Sequence, residues 1–178
     1  MKYISFVVPC YNSEAYMENC IESLLIGGED VEIIIIDDGS KDKTGKIADK
    51  YQKKYPKIVK AIHQENGGHG AGIMTGLSVA TGKYFKVVDS DDWVDKKAYK
   101  TLLKKIKKID SDLIIMNYVY TYTDGRINQT ISFKNVFKEN EEMTWDEMKK
   151  FKPTQYLSLH SLMYKKLSLI HISEPTRH

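Results

Sequence analysis

The chain has 178 residues, 42% of them hydrophobic and 29% charged, an ordinary globular composition with enough apolar material for one well-buried core. Twenty-seven basic residues stand against 24 acidic ones, a formal net charge of +3, so bulk charge gives no ground for a nucleic-acid partner. Cys10 and Cys20 are too far apart for a redox or zinc CxxC pattern and too few for a disulfide framework, so free thiols in a reducing compartment are expected.

Residues 1–9 carry one lysine and a short strand-like run, without the apolar stretch and small-residue cleavage site of a secretory signal. The most apolar run, residues 31–36, falls far short of the roughly 20 residues that a membrane-spanning helix needs. A cytoplasmic location follows as the expectation. Residues 3–8 read as a strand that ends at Pro9. A helix with Ser13 as its cap is then expected over 13–26, from Met17, Ile21, Leu24 and Leu25 at helical spacing. Gly27 and Gly28 end it. Residues 31–36 form a continuous branched run of the kind buried on both faces of a parallel sheet, and it ends in Asp37-Asp38-Gly39-Ser40. A helix over 43–55 stops at Pro56, a third strand covers 58–63, and a third helix covers 70–80. A fourth strand over 83–88 ends in Asp89-Ser90-Asp91-Asp92-Trp93, and an amphipathic helix follows over 96–109. Repeated strand and helix units imply an α/β protein with a parallel, doubly wound sheet.

After residues 113–116 the pattern changes. Residues 118–123 and 127–133 flank Asp124-Gly125, the signal of a β-hairpin, so a different subregion begins near Asp110. The expected division is a core over 1–110, the beginning of a second, β-containing region over 111–166, and a tail over 167–178. That tail continues no pattern and resembles translated adapter sequence; it is set aside as non-native.

Ligands of open α/β sheets bind beyond the carboxyl ends of the strands. Three such ends carry Pro9-Cys10-Tyr11-Asn12, Asp37-Asp38-Gly39-Ser40 and Asp89-Ser90-Asp91-Asp92. Carboxylates gathered at one edge repel unless a cation holds them, and hard oxygen ligands suit Mg²⁺ or Mn²⁺ rather than zinc. The plain alternative is helix capping, as expected of Asp95. The loop Asn66-Gly67-Gly68-His69-Gly70-Ala71-Gly72 places glycines ahead of a helix, where backbone N–H groups can approach an anion. Its spacing matches neither the dinucleotide fingerprint nor the P-loop, and a simple helix-initiating turn is the other reading.

Together, Val7-Val8-Pro9-Cys10-Tyr11-Asn12, Ile36-Asp37-Asp38-Gly39-Ser40 and Asp89-Ser90-Asp91-Asp92 resemble the inverting family 2 glycosyltransferases of GT-A fold, over residues 2–93. The resemblance implies a Rossmann-like, mainly parallel sheet flanked by helices as a nucleotide-sugar core, with an acceptor-side region after it. It implies that Pro9, Tyr11 and Asn12 line the nucleobase pocket with Tyr11 stacking. Asp38 would accept a hydrogen bond from the base, which favours uracil and hence a UDP-sugar donor. Asp91 would bind the divalent metal, Mn²⁺ or Mg²⁺, with Asp89 at the ribose or in the metal's water shell and Ser90 beside them. Gly68 and His69 would reach the diphosphate. The chain departs from the family at Ile73 and Met74, where many members have an arginine and an asparagine, which takes away one means of phosphate neutralisation. The implied reaction moves a sugar from nucleotide diphosphate to a carbohydrate or lipid-linked acceptor hydroxyl, with inversion.

The general base is expected after the hairpin, beyond the end of this chain. Glu139, Glu141, Glu142 and Asp146 lie in the right half, but none sits in an identifying motif. A nucleotide-binding fragment without transferase activity is the alternative reading. A sugar nucleotidyltransferase is the rival enzyme, but it would require a Gly-rich basic first loop that residues 9–12 lack. The basic run Lys104-Lys105-Ile106-Lys107-Lys108 suits either a solvated helix face or peripheral contact with the inner face of a membrane. Tyr118, Tyr120 and Tyr122 alternate as sheet packing or as a sugar-stacking wall.

Overall fold

The structure is a computed structural model that describes residues 1–178 except 123, 154 and 174–178, and it describes the backbone alone at 170–173. Among the described residues, eight strands and five helices follow in the order β1 Ile4–Cys10, α1 Met17–Leu25, β2 Val31–Asp38, α2 Thr44–Lys54, β3 Val59–Gln64, α3 His69–Val79, β4 Tyr84–Val87, α4 Lys96–Ile106, β5 Leu113–Ile115, β6 Tyr118–Tyr120, β7 Gln129–Ile131, β8 Leu162–Lys165 and α5 Lys166–Ser173. The main sheet runs β3-β2-β1-β4-β8-β5. Its first four strands are parallel, and β8 lies antiparallel between β4 and β5. The expected hairpin forms a second sheet of β6 and β7, with Tyr118 opposite Ile131. Thr123, expected in its first strand, lies outside the described residues.

β2 explains the layering. Ile33, Ile34, Ile35 and Ile36 are all fully buried, and alternation along the strand sends them to opposite faces. Ile33 and Ile35 join Phe6, Val8 and the inward sides of α1, α2 and α4 in the larger core. Ile34 and Ile36 join Val7, Phe85 and Val87 under α3 in the smaller one. Burial of each such side chain is worth about 1.5–3 kcal/mol, which is why an unbroken branched run marks a central strand. Helix α3 comes close to β1 because Gly76 has no Cβ; one built there would stand 2.4 Å from Val7 Cγ1.

Local chemistry accounts for some ends and fails at another. Asp95 caps α4 by accepting from the Ala98 N–H at 2.7 Å. Ser13 is not a cap: α1 starts later, at Met17, with no side-chain cap, and the Ser13 hydroxyl instead meets Ser90 Oγ at 2.9 Å. The tertiary partner outcompetes the local one. Beyond β8, in the segment expected to be non-native, the Ser168 hydroxyl donates to Asp112 at 2.6 Å and Leu169 packs on the smaller core. Residues 174–178 of that segment lie outside the described residues.

Candidate functional site

Because β1, β2, β3 and β4 are parallel, their carboxyl ends open on one edge of the sheet. Two loops clamp each other on it. Asn12, in the left-handed region at φ 50°, accepts from the Lys41 N–H at 2.9 Å, while its own N–H donates to Ser40 Oγ at 3.0 Å. Asparagine tolerates that backbone region better than most residues. The Ser13 N–H donates to Thr44 Oγ1 at 2.7 Å, and the Lys43 N–H to Glu14 at 2.8 Å. Pro9 is buried beneath this rim and Tyr11 projects from it, 49% exposed, a free aromatic face on an ordered loop. Ser90 is buried, bonded to Ser13, and so joins the β4 end to the β1 loop.

Asp38 faces inward. Its carboxylate accepts from Gln64 Nε2 at 2.7 Å, the Gly67 N–H at 2.9 Å and the Gly68 N–H at 2.8 Å. Burial works against its ionisation, but the bonds from Gly67, Gln64 and Gly68 outweigh it and hold the carboxyl below the usual aspartate value. Gly68 sits at φ 84°, ψ 169°, a conformation that essentially only glycine adopts, and it serves as the N-cap of α3. Asp38 thus fastens the glycine loop to the end of β2. The departure at Ile73 and Met74 is also resolved: Ile73 packs on the smaller core and Met74 is exposed.

The β4 end gathers the charged groups. His69, the first residue of α3, places Nε2 2.9 Å from Asp89 Oδ1. His160 Nδ1 lies 3.6 Å from Asp89 Oδ2 and 3.2 Å from Asp92 Oδ2. Ligand atoms of Asp89, Asp92 and His160 all fall within 4.8 Å of one another, a separation that a single ion can span. Burial, with Asp89 and Asp91 nearby, pushes the Asp92 carboxyl up against the pull of His160 and Lys86. Asp91 is exposed and stands outside this group. Asp92 and His160 are the members of this group that the sequence reading did not single out. His160 carries no ligand spacing, and only the fold brings it here.

Other candidates lie elsewhere. Glu142 accepts from Ser111 Oγ at 2.8 Å, Glu141 pairs with Lys138 at 3.7 Å, and neither they nor Glu139 and Asp146 belong to the group at the β4 end. Tyr118 is in edge contact with Tyr120, centroids 5.3 Å apart, and 6.2 Å from the His160 ring, so the tyrosine strand reaches the same edge. Cys10 is buried behind it, its thiol pushed up to about 12 by burial and by Asp37, which removes it as a nucleophile. Among the described residues no helix is long and apolar enough to cross a membrane.

The family model described as "Glycosyl transferase family 2" matches residues 5–168. Glycosyltransferase GlyG of Streptococcus pneumoniae serotype 4 is 41% identical over 125 residues, covering 68% of this chain and 41% of its own. The crystal structure of S. aureus TarS 1–349 superposes with a TM-score of 0.71 at 27% identity, over 97% of this chain and 49% of that one. TarS 1–349 has also been solved in complex with UDP and with UDP-GlcNAc. The chain spans less than half the length of GlyG and of TarS 1–349.

Proposed function

The chain belongs to glycosyl transferase family 2, and from that premise we propose that it binds a nucleoside-diphosphate sugar, a UDP-sugar by preference, at the carboxyl edge of β1, β2 and β4. The reaction is transfer of the sugar to an acceptor hydroxyl with inversion. The observation that carries this reading is the convergence of Tyr11, the Asp38-held glycine loop and the Asp89–Asp92 carboxylates on one edge. Each has a part. Tyr11 offers a face for the base. The first turn of α3 would meet the diphosphate, because the positive end of the helix favours an anion there. His69 adds a donor that can replace the missing arginine. Asp38 acts through the loop that it holds.

The donor set fits a divalent cation, Mn²⁺ or Mg²⁺. Asp89 and Asp92 would hold it, with Asp91 exposed on the same turn. When bound, the cation would neutralise the negative charge of the departing diphosphate. The acceptor would approach from the side of Tyr118 and Tyr120; its class is carbohydrate, as in the poly(ribitol-phosphate) named for TarS, or lipid-linked. The exposed Lys104 and Lys108 on α4 and just after it are where the protein would meet an anionic membrane at its cytoplasmic face.

Calorimetric titration with UDP and with GDP, each with Mn²⁺ and after chelation, tests the reading alongside Asp91→Ala and Asp89→Asn. We expect UDP to bind more tightly than GDP, chelation to weaken both, and Asp89→Asn to weaken UDP binding at least tenfold. Equal binding of both nucleotides, unaffected by the chelator, would overturn it.

A further inference from the structure

We propose that Lys86 is a positioning residue: its buried ammonium pins a fork in the sheet between β4 and β8 and so holds His160 and the Tyr118 ring as a fixed wall on the acceptor side of the ligand edge. That the wall faces an acceptor rests on the function proposed above; the fork does not.

The fork follows from the strand pairing. β4 and β8 face each other at Tyr84 with Lys165 and at Phe85 with Tyr164, and toward the ligand edge their ladder stops. Each strand keeps its outer partner beyond that point. The Val88 N–H still donates to the Val7 carbonyl at 2.9 Å, while Ile115 of β5 lies opposite Leu162 and the Met116 N–H donates to the Ser161 carbonyl at 2.7 Å. Successive carbonyls of an extended chain point to opposite sides, so those of His160 and Leu162 turn toward β4, where the ladder no longer supplies an N–H. Lys86 takes that place. Its Nζ donates to the His160 carbonyl at 2.8 Å and to the Leu162 carbonyl at 3.3 Å, its hydrogen-bond partners among the described residues.

Packing alone would not select this residue. Lys86 is 6% exposed, and a buried ammonium is costlier than an apolar side chain of similar length. What the ammonium can do and a methionine cannot is satisfy two backbone acceptors at once across a gap. The 3₁₀ turn Leu159–Ser161 is thereby tied to β4, and the Ser161 hydroxyl closes it on the Ser158 carbonyl at 2.7 Å. His160 rides on that turn, its ring 6.2 Å from that of Tyr118 and its Nδ1 3.2 Å from Asp92. The groups proposed for the base and the diphosphate belong to the loops after β1 and β2 and to α3, none of which bonds to Lys86. Loss of the pin should therefore loosen the acceptor wall and spare the nucleotide.

The test is nuclear magnetic resonance of the full chain and of Lys86→Met, with UDP titrations of both. In the unsubstituted protein the Lys86 ammonium should give a slowly exchanging ¹⁵N signal, and the Tyr118 and His160 rings should show an Overhauser contact. Lys86→Met should lose that contact and exchange the amides of residues 160–163 roughly tenfold faster. UDP affinity should stay within about twofold, since separate sites act independently. The His63 signal, set between Asp37 and Asp49, should not move, which shows that the variant is folded. Lys86→Arg, whose guanidinium can donate to the same two carbonyls, should restore the contact. An unchanged Tyr118–His160 contact and unchanged exchange in Lys86→Met would overturn the proposal. So would the absence of a protected Lys86 signal in the unsubstituted protein, a result that requires no variant to fold. A large loss of UDP affinity with the wall still in place would also overturn it, by assigning Lys86 to the donor. Failure of UDP to bind the unsubstituted protein would sink the donor-site reading alone, and the ring contact would still decide the fork.

Discussion

Asp38→Asn removes one charge with almost no change of shape, and three bonds depend on that charge. Asp38 is 4% exposed and accepts from Gln64 Nε2, the Gly67 N–H and the Gly68 N–H, all between 2.7 and 2.9 Å. An asparagine keeps one acceptor oxygen, but it turns an NH₂ group toward at least one of those donors. Hydrogen bonds to a charged group are worth about 1.5–3 kcal/mol each. Part of the loss is offset, because the glycine N–H groups sit in an exposed loop that water can reach. A net destabilisation of about 2–3 kcal/mol is expected, a fall in Tm of roughly 5–10 °C for a domain of this size. The pH dependence has a definite sign. The folded carboxyl lies below its ordinary value, so its stabilisation is complete above the unfolded value near 3.9 and lost as pH falls through the folded one. Thermal melts of the wild type and Asp38→Asn at pH 7 should therefore differ by the full amount and converge as the medium is acidified below about pH 4. Melting within about 1 °C of wild type at pH 7 would refute the reasoning. A large loss of UDP affinity without that drop would instead favour direct recognition of the base by Asp38.

Gly76→Ala should cost about 1–3 kcal/mol in urea denaturation despite alanine's better helix propensity, because the new Cβ meets Val7 Cγ1 at 2.4 Å in a packed core; an unchanged midpoint would mean that α3 shifts freely over β1. His63, between Asp37 at 2.9 Å and Asp49 at 3.0 Å, has its pKa raised by hydrogen bonds to those two carboxylates. Its contribution is complete below the unfolded value near 6.5 and lost as pH rises through the folded one, so the Tm advantage of wild type over His63→Gln should shrink from pH 5.5 to 8.5 and a constant gap would count against it. Burial raises the thiol pKa of both Cys10 and Cys20, so a thiol reagent at pH 8 should label neither in the native protein and both in denaturant; rapid native labelling of either would contradict the packing of α1 on β1.

The parallel half of the fold is legible residue by residue because its signals are local. The branched run of β2, Pro56 after α2, the Asp95 cap and the Gly67-Gly68 pair ahead of α3 each act within a turn or two, and a short-range signal survives without knowledge of the rest of the chain. The strand-end motifs likewise put Tyr11, Asp38 and Asp89 on one edge, since parallel strands leave no other arrangement. Where a residue had two partners to choose from, local reading failed: Ser13 met Ser90 instead of capping α1. β8 was not foreseen, because Leu-Met-Tyr-Lys has no flanking turn signal and too few residues for a period. That strand decided the most. Its antiparallel insertion beside β4 carries His160 across the chain to Asp89 and Asp92. Sequence alone thus established the parallel strands β1 to β4, their ligand edge and the residue types on it. The choice of which carboxylates and which histidine converge belonged to the tertiary structure, because a contact between distant segments depends on strand order, and no local pattern encodes that.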